Sequence, residues 1–177
     1  MCLFRFFLCV QNVKNINIDR GLIMGNRTIV AYFSEIGVTE KYSKRLAKEL
    51  DADIFEIVPT QLYIRDDLNW NDKKSRSYKE MLDETIRPQI SERIENIDDY
   101  DTVFVGYPIW WEKAPNIIFT FLENYDFSGK TIVPFATSGG SVKGSKGTHL
   151  HKFCSSDTKW VTGKLLNCEE DIVGWYN

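Results

Sequence analysis

Four short runs of apolar, β-prone residues constrain this chain more than anything else in it. They are Thr28–Phe33, Asp53–Val58, Thr102–Tyr107 and Thr131–Thr137. All are brief, and Thr28–Phe33 is apolar in the way expected of a strand buried on both faces of a parallel sheet. Between the first two lies Glu40–Leu50, where Tyr42, Leu46, Ala47 and Leu50 form a helical stripe among charged residues. Pro59 closes the second run. Strand, loop, helix and strand in that order predict a right-handed parallel crossover. Ala114–Asn124 is a second, strongly apolar helix, with Pro115 suited to its first turn. Short helices are predicted at Tyr78–Thr85, Ser91–Ile97, Ser145–Phe153 and Glu169–Tyr176, and a short last strand at Lys159–Thr162. Thr60–Glu95 is polar and too long for a plain connection, so partial structure is expected there. Alternation of this kind gives an α/β fold, a parallel sheet with helices on both faces.

At 177 residues, with no repeat or linker, residues 24–177 are expected to form one domain. Residues 1–23 are expected to be an extension without fold, because Met24 directly precedes Gly25-Asn26-Arg27 and the first strand. The apolar stretch Met1–Val10 is too short to span a bilayer. It also carries Arg5 inside it and makes a poor signal peptide. Of the formal charge of −3, that extension holds Arg5, Lys14 and Arg20 against Asp19, so the remainder is clearly acidic. No Lys/Arg stripe suits nucleic acid, and no membrane partner is expected. Cys2, Cys9, Cys154 and Cys168 are scattered, with no CxxC and no His pair at zinc spacing. They point away from a metal site and toward a reducing, cytoplasmic setting.

Three strands end in loops that would share one sheet edge, where open α/β sheets bind ligands. The first, Ser34-Glu35-Ile36-Gly37-Val38-Thr39, combines hydroxyls with the free N–H groups of a helix start. It suits a phosphate, and it equally suits a simple helix cap. The second, Pro108-Ile109-Trp110-Trp111, places adjacent indoles after a strand, and one of them can offer a flat face to a planar ring. The third, Thr137-Ser138-Gly139-Gly140-Ser141, lets the backbone approach a ligand and adds donors. A phosphate-bearing planar ring would use all three.

The stretches TIVAYFSEIGVTEKYSKRLAKEL, VFVGYPIWWEKAPNIIFTFLE and KTIVPFATSGGS resemble the flavodoxins, specifically short-chain flavodoxin-like proteins with a Trp-Trp loop. The resemblance runs from Thr28 to the C-terminus. It implies a flavodoxin-like five-stranded sheet, order 2-1-3-4-5, and bound FMN. The family's phosphate motif, Ser/Thr-x-Thr-Gly-x-Thr, is met at Ser34, Gly37 and Thr39. It is broken at Ile36, where a hydroxyl donor is lost, and Val38 is apolar where a polar residue is common. Weaker FMN binding is the expected result. By the same resemblance, Pro108, Ile109, Trp110 and Trp111 line the isoalloxazine, and Thr137, Ser138, Gly139, Gly140 and Ser141 its pyrimidine edge.

Other residues read more plainly. His149 and His151 are expected on the surface of a helix, with protonation of a quinone substrate beside a flavin as the alternative. Trp70, Arg76 and Tyr78 are expected to pack locally, with a cleft wall as the alternative. The preferred function is an electron carrier serving redox protein partners or a small acceptor. The alternative is an NAD(P)H-dependent FMN oxidoreductase acting on quinones or similar acceptors. A phosphoacceptor domain would need acidic residues after the first strand and an Asp at the end of the third, where this chain has Ser34-Glu35 and Tyr107-Pro108.

Overall fold

The computed structural model describes residues 27–167; the N-terminal extension, Cys2, Cys9, Cys168 and the expected helix at Glu169–Tyr176 lie outside them. β1 (Thr28–Tyr32) leads to α1 (Val38–Leu50) and β2 (Asp53–Glu56). After a 3-10 turn at Arg65–Leu68 come α2 (Arg76–Leu82), β3 (Thr102–Pro108), α3 (Asn116–Glu123) and β4 (Thr131–Thr137). A 3-10 helix at Thr148–Phe153 precedes β5 (Lys159–Trp160) and β6 (Lys164–Leu165). The sheet is parallel, in the expected order β2-β1-β3-β4-β5, with β6 also paired to β4.

Period-two alternation divides the core between the two faces. Val30, Phe104, Val133 and Phe135 meet Tyr42, Leu46 and Ala47 of α1. Ile29, Ala31, Phe33, Val103, Val105 and Tyr107 face Ile117, Ile118, Phe121 and Leu122 of α3. Gly106 separates them for a steric reason: a Cβ there would stand 2.3 Å from the Phe135 ring on the neighbouring strand. α1 ends in a Schellman turn. Asp51 takes the left-handed conformation at φ 49°, and Ala52 N–H reaches back to the Ala47 carbonyl at 2.9 Å.

Three expected elements differ. Ser91–Ile97 is not helical. Ser91 N–H donates to the Val58 carbonyl (2.9 Å) and Thr60 N–H to that of Gln89 (2.8 Å), so backbone pairing across Pro59 and Ile90 holds the segment extended. Only Ile97–Asp99 makes a 3-10 turn. Ser145–Phe153 is helical only from Thr148, because Gly147 stands at φ +71°. The last strand is split. Its register against β4 runs Ile132↔Trp160 and then Phe135↔Lys164, so one extra residue is accommodated between the halves. The Lys130, Ile132 and Ala136 carbonyls accept hydrogen bonds from this outer strand. Alternation therefore puts Pro134, which has no N–H, opposite the break. Gly163 fits there because a Cβ would meet the Ser145 carbonyl oxygen at 2.4 Å.

Candidate functional site

The carboxyl ends of β1, β3 and β4 surround a cavity of about 900 Å³. All three predicted loops line it. Ser34, Ile36, Val38, Thr39, Pro108, Ile109, Trp110, Trp111, Thr137, Ser138, Gly139, Gly140 and Ser141 are on its wall; Gly37 is not. Gly37 instead shapes the loop, holding φ +80° at the N-cap of α1.

In the first loop the Ser34 Oγ is buried and has no hydrogen-bond partner. No side chain caps α1, which removes the simple capping reading of Ser34 and Thr39. Thr39 and Thr137 are buried with their hydroxyls 2.8 Å apart, tying the first loop to the end of β4. Each hydroxyl has one proton. One is spent within the pair, so only one remains for a ligand. Ile36 is 78% exposed and projects no donor.

The second loop turns on Trp111 and Glu112, at φ 45° and φ 65°. Trp110 N–H donates to the Lys113 carbonyl (2.9 Å) and Lys113 N–H to that of Trp110 (3.1 Å). This is a two-residue reversal with positive φ at both centres, a place usually given to Asn-Gly. Such backbone costs ~1–3 kcal/mol per residue and gathers at functional sites. The neighbouring loop holds it. Lys143 Nζ lies 2.9 Å from the Glu112 carboxylate, and a Cβ on Gly144 would fall 2.4 Å from the Glu112 carbonyl oxygen.

Both indoles are half-buried and anchored edge-on. Trp110 meets Phe33 at 5.6 Å and Tyr63 at 5.4 Å between centroids; Trp111 meets Tyr78 at 6.2 Å. Tyr63 is fixed in turn. Its hydroxyl donates to buried Glu80 at 2.7 Å, and the Arg76 guanidinium lies 3.9 Å from its ring centroid. Arg76 Nε also donates to Glu80 at 2.8 Å. Burial holds the Glu80 carboxyl above its ordinary pKa, although both donors pull it down.

In the third loop, Gly140 N–H donates to Ser138 Oγ and Lys143 N–H to Ser141 Oγ, each at 3.1 Å. A Cβ on Gly139 or Gly140 would meet open space. That leaves an uncovered backbone ledge.

The polar segment supplies a wall not expected from the strand-end loops. Leu68, Trp70 and Ser77 line the cavity, with Glu35 and Glu112. Trp70 thus follows the alternative cleft-wall reading; Tyr78 packs locally, and Arg76 packs on Tyr63 and Glu80 while also lining a separate cleft. Burial raises the Glu35 carboxyl, offset in part by Arg76. His149 is not on the surface. It is half-buried, its Nε2 accepts the Ala114 N–H at 3.0 Å, and burial lowers its pKa to about 4. His151 is exposed and stacks on Trp160 at 4.3 Å. Neither lines the cavity.

Sheet order, crossover and a cavity at the carboxyl edge define a doubly wound, ligand-binding α/β protein. Residues 27–177 match a family model described as flavodoxin, and the chain belongs to that family. A flavoprotein from Bacteroides eggerthii DSM 20697 is 46% identical over 85% of this chain and 96% of its own, with a TM-score of 0.79. One from Bacteroides uniformis ATCC 8492 is 41% identical over 84% and 96%, with a TM-score of 0.77. A flavoprotein from Lactobacillus acidophilus NCFM, solved in complex with FMN, shares the fold at 17% identity over 86% and 100%, with a TM-score of 0.57. No curated protein matches. FMN, expected from the sequence, is the cofactor of this family. Among the described residues no helix is long and apolar enough to cross a membrane.

Proposed function

We propose that this chain binds FMN in the strand-end cavity and moves electrons between FMN and a redox partner. The buried Ser34 hydroxyl carries this reading. It has no partner among the described residues and stands beside the α1 start, where N–H groups are free, as a phosphate subsite requires. The donor set fits the cofactor. Ser34, the spare proton of the Thr39–Thr137 pair and the backbone at Gly37–Thr39 would hold the phosphate. Trp110 and Trp111 would flank the ring, and the Gly139-Gly140 ledge would meet its polar edge. Bound FMN supplies reversible one- and two-electron chemistry.

The residues of the chain set the conditions for that chemistry. The indoles exclude water and provide an apolar wall. The rim is apolar too, with Ile36 and Trp70 both more than two-thirds exposed. Such a rim suits transient docking of a redox protein or a small acceptor. An FMN titration followed by flavin fluorescence tests the reading. Saturable quenching at one FMN per chain is expected, and protein that stays colourless with excess FMN overturns it.

One observation favours the reductase reading instead. A separate cleft of about 700 Å³ is lined by Lys74, Arg76, Lys79 and Arg87, with Asp67 and Glu80 as its acidic groups. Cations there suit the phosphates of a nicotinamide dinucleotide. Sustained NAD(P)H oxidation with a quinone would establish the enzyme. Reduction in two resolved one-electron steps, without such turnover, would establish the carrier.

A further inference from the structure

Ser77, at the second position of α2, is 2% exposed, and its Oγ has no hydrogen-bond partner. Among the described residues, the other buried side-chain oxygen in that state is Ser34 Oγ, and both residues line the same cavity. An unpaired buried hydroxyl costs ~1–3 kcal/mol, and folded proteins keep few of them. The family's phosphate motif accounts for Ser34. Nothing in that motif, or in the three strand-end loops, accounts for Ser77.

Local structure gives Ser77 no partner and no freedom to find one. A helical serine usually bonds to the carbonyl four residues back, but that position is Lys73, before the helix begins. The capping role is already filled by Ser75, whose Oγ accepts the Tyr78 N–H at 3.2 Å. α2 cannot slide to relieve the hydroxyl. Asn116 Nδ2 donates to the Glu80 and Asp83 carbonyls at 3.0 and 2.9 Å, and Lys113 Nζ to that of Met81 at 3.1 Å. A second space, lined by Ser77 and both indoles among others, holds only about 10 Å³. That is the lower limit for a single water.

We propose that Ser77 is a fourth contact of the flavin site, its hydroxyl hydrogen-bonding a polar atom at the edge of the ring flanked by Trp110 and Trp111. The inference rests on the FMN reading. It adds α2 to the site and explains why a fixed helix carries an unsatisfied group into the cavity wall. Bound flavin would give that hydroxyl the partner the protein's own groups do not.

Riboflavin separates the two ends of the site because it has the ring without the phosphate. FMN and riboflavin are titrated into the wild-type protein, Ser77→Ala, Ser77→Cys and Ser34→Ala, and each flavin-free protein is melted. Ser77→Ala should weaken both flavins by about five- to tenfold, one hydrogen bond's worth. Ser77→Cys, with its weaker donor, should fall between. Ser34→Ala should weaken FMN alone. Flavin-free Ser77→Ala should melt no lower than wild type, because it loses a group without a partner. If wild type binds neither flavin, the FMN reading fails and this inference with it. If wild type binds and Ser77→Ala binds equally, or if Ser77→Ala melts lower without flavin, the Ser77 contact alone is overturned.

Discussion

At the amino ends of the strands, Arg27 joins three segments. Its guanidinium lies 3.1 Å from Asp53 and 3.0 Å from Asp99, and its backbone N–H donates to Asp101 at 3.2 Å. The Tyr100 hydroxyl completes the set on Asp53 at 2.7 Å, and Lys130 Nζ reaches the Tyr100 carbonyl at 2.8 Å. The carboxyl ends of the same strands are finished differently. Ser34 and Ser77 keep unpaired hydroxyls, Trp111 and Glu112 hold positive φ, and Ile36 stands in solvent. Polar groups at one end satisfy each other, and those at the other are left for something that arrives later. Beyond the Thr39–Thr137 and Trp110–Lys113 bonds, the strained end depends on scaffolding from the loop at Val142–Gly147 and from α2.

Disturbing that scaffolding should have the largest effect. Gly144→Ala puts a methyl group against the Glu112 carbonyl at a φ of +84°. It should cost about 3 kcal/mol in denaturant unfolding and weaken FMN binding in the same protein. Acid should act next. The His149 Nε2 accepts the Ala114 N–H only while the ring is neutral, and its folded pKa is lowered to about 4. Below its ordinary pKa the unfolded chain binds the proton more readily than the folded one. The stability is therefore whole above about pH 6.5 and drains as pH falls toward 4, by about 2 kcal/mol after allowance for partial exposure. Urea midpoints from pH 7 to 4 would show it, and His149→Gln should flatten the curve. Ile36→Thr, restoring the absent donor on an exposed residue, should tighten FMN about fivefold with the melting temperature unchanged. Arg27→Ala tests the satisfied end. Its ion pairs are exposed, so the melting temperature should drop by only about a degree or two, less in high salt, with FMN affinity unchanged. A large loss of FMN affinity there would break the contrast between the two ends.

What the sequence makes legible follows the same division. Thr28–Phe33, Thr102–Tyr107 and Thr131–Thr137 announce buried strands because burial on both faces demands unbroken apolar runs. Each strand end then points to one rim, which is why the three loops could be read as converging. Ser77, Leu68 and Trp70 were not legible in that way. They arrive from a polar, aperiodic segment whose position depends on distant partners, above all Asn116 on the Glu80 and Asp83 carbonyls. The Trp111-Glu112 reversal carries none of the Asn or Gly that usually marks such a turn. The burial of His149 depends on packing against Tyr107 and Phe119, which the spacing of its own helix does not reveal.

The interrupted strand opposite Pro134 has a consequence beyond topology. A long, straight outer strand offers a row of free backbone groups to which another copy could add, the route to ribbon-like aggregates. Here the β5–β6 border comes in two pieces of two residues each, broken at Gly163. A neighbour cannot zip along it, so the break adds to Lys159 and Lys164 in resisting unwanted self-assembly.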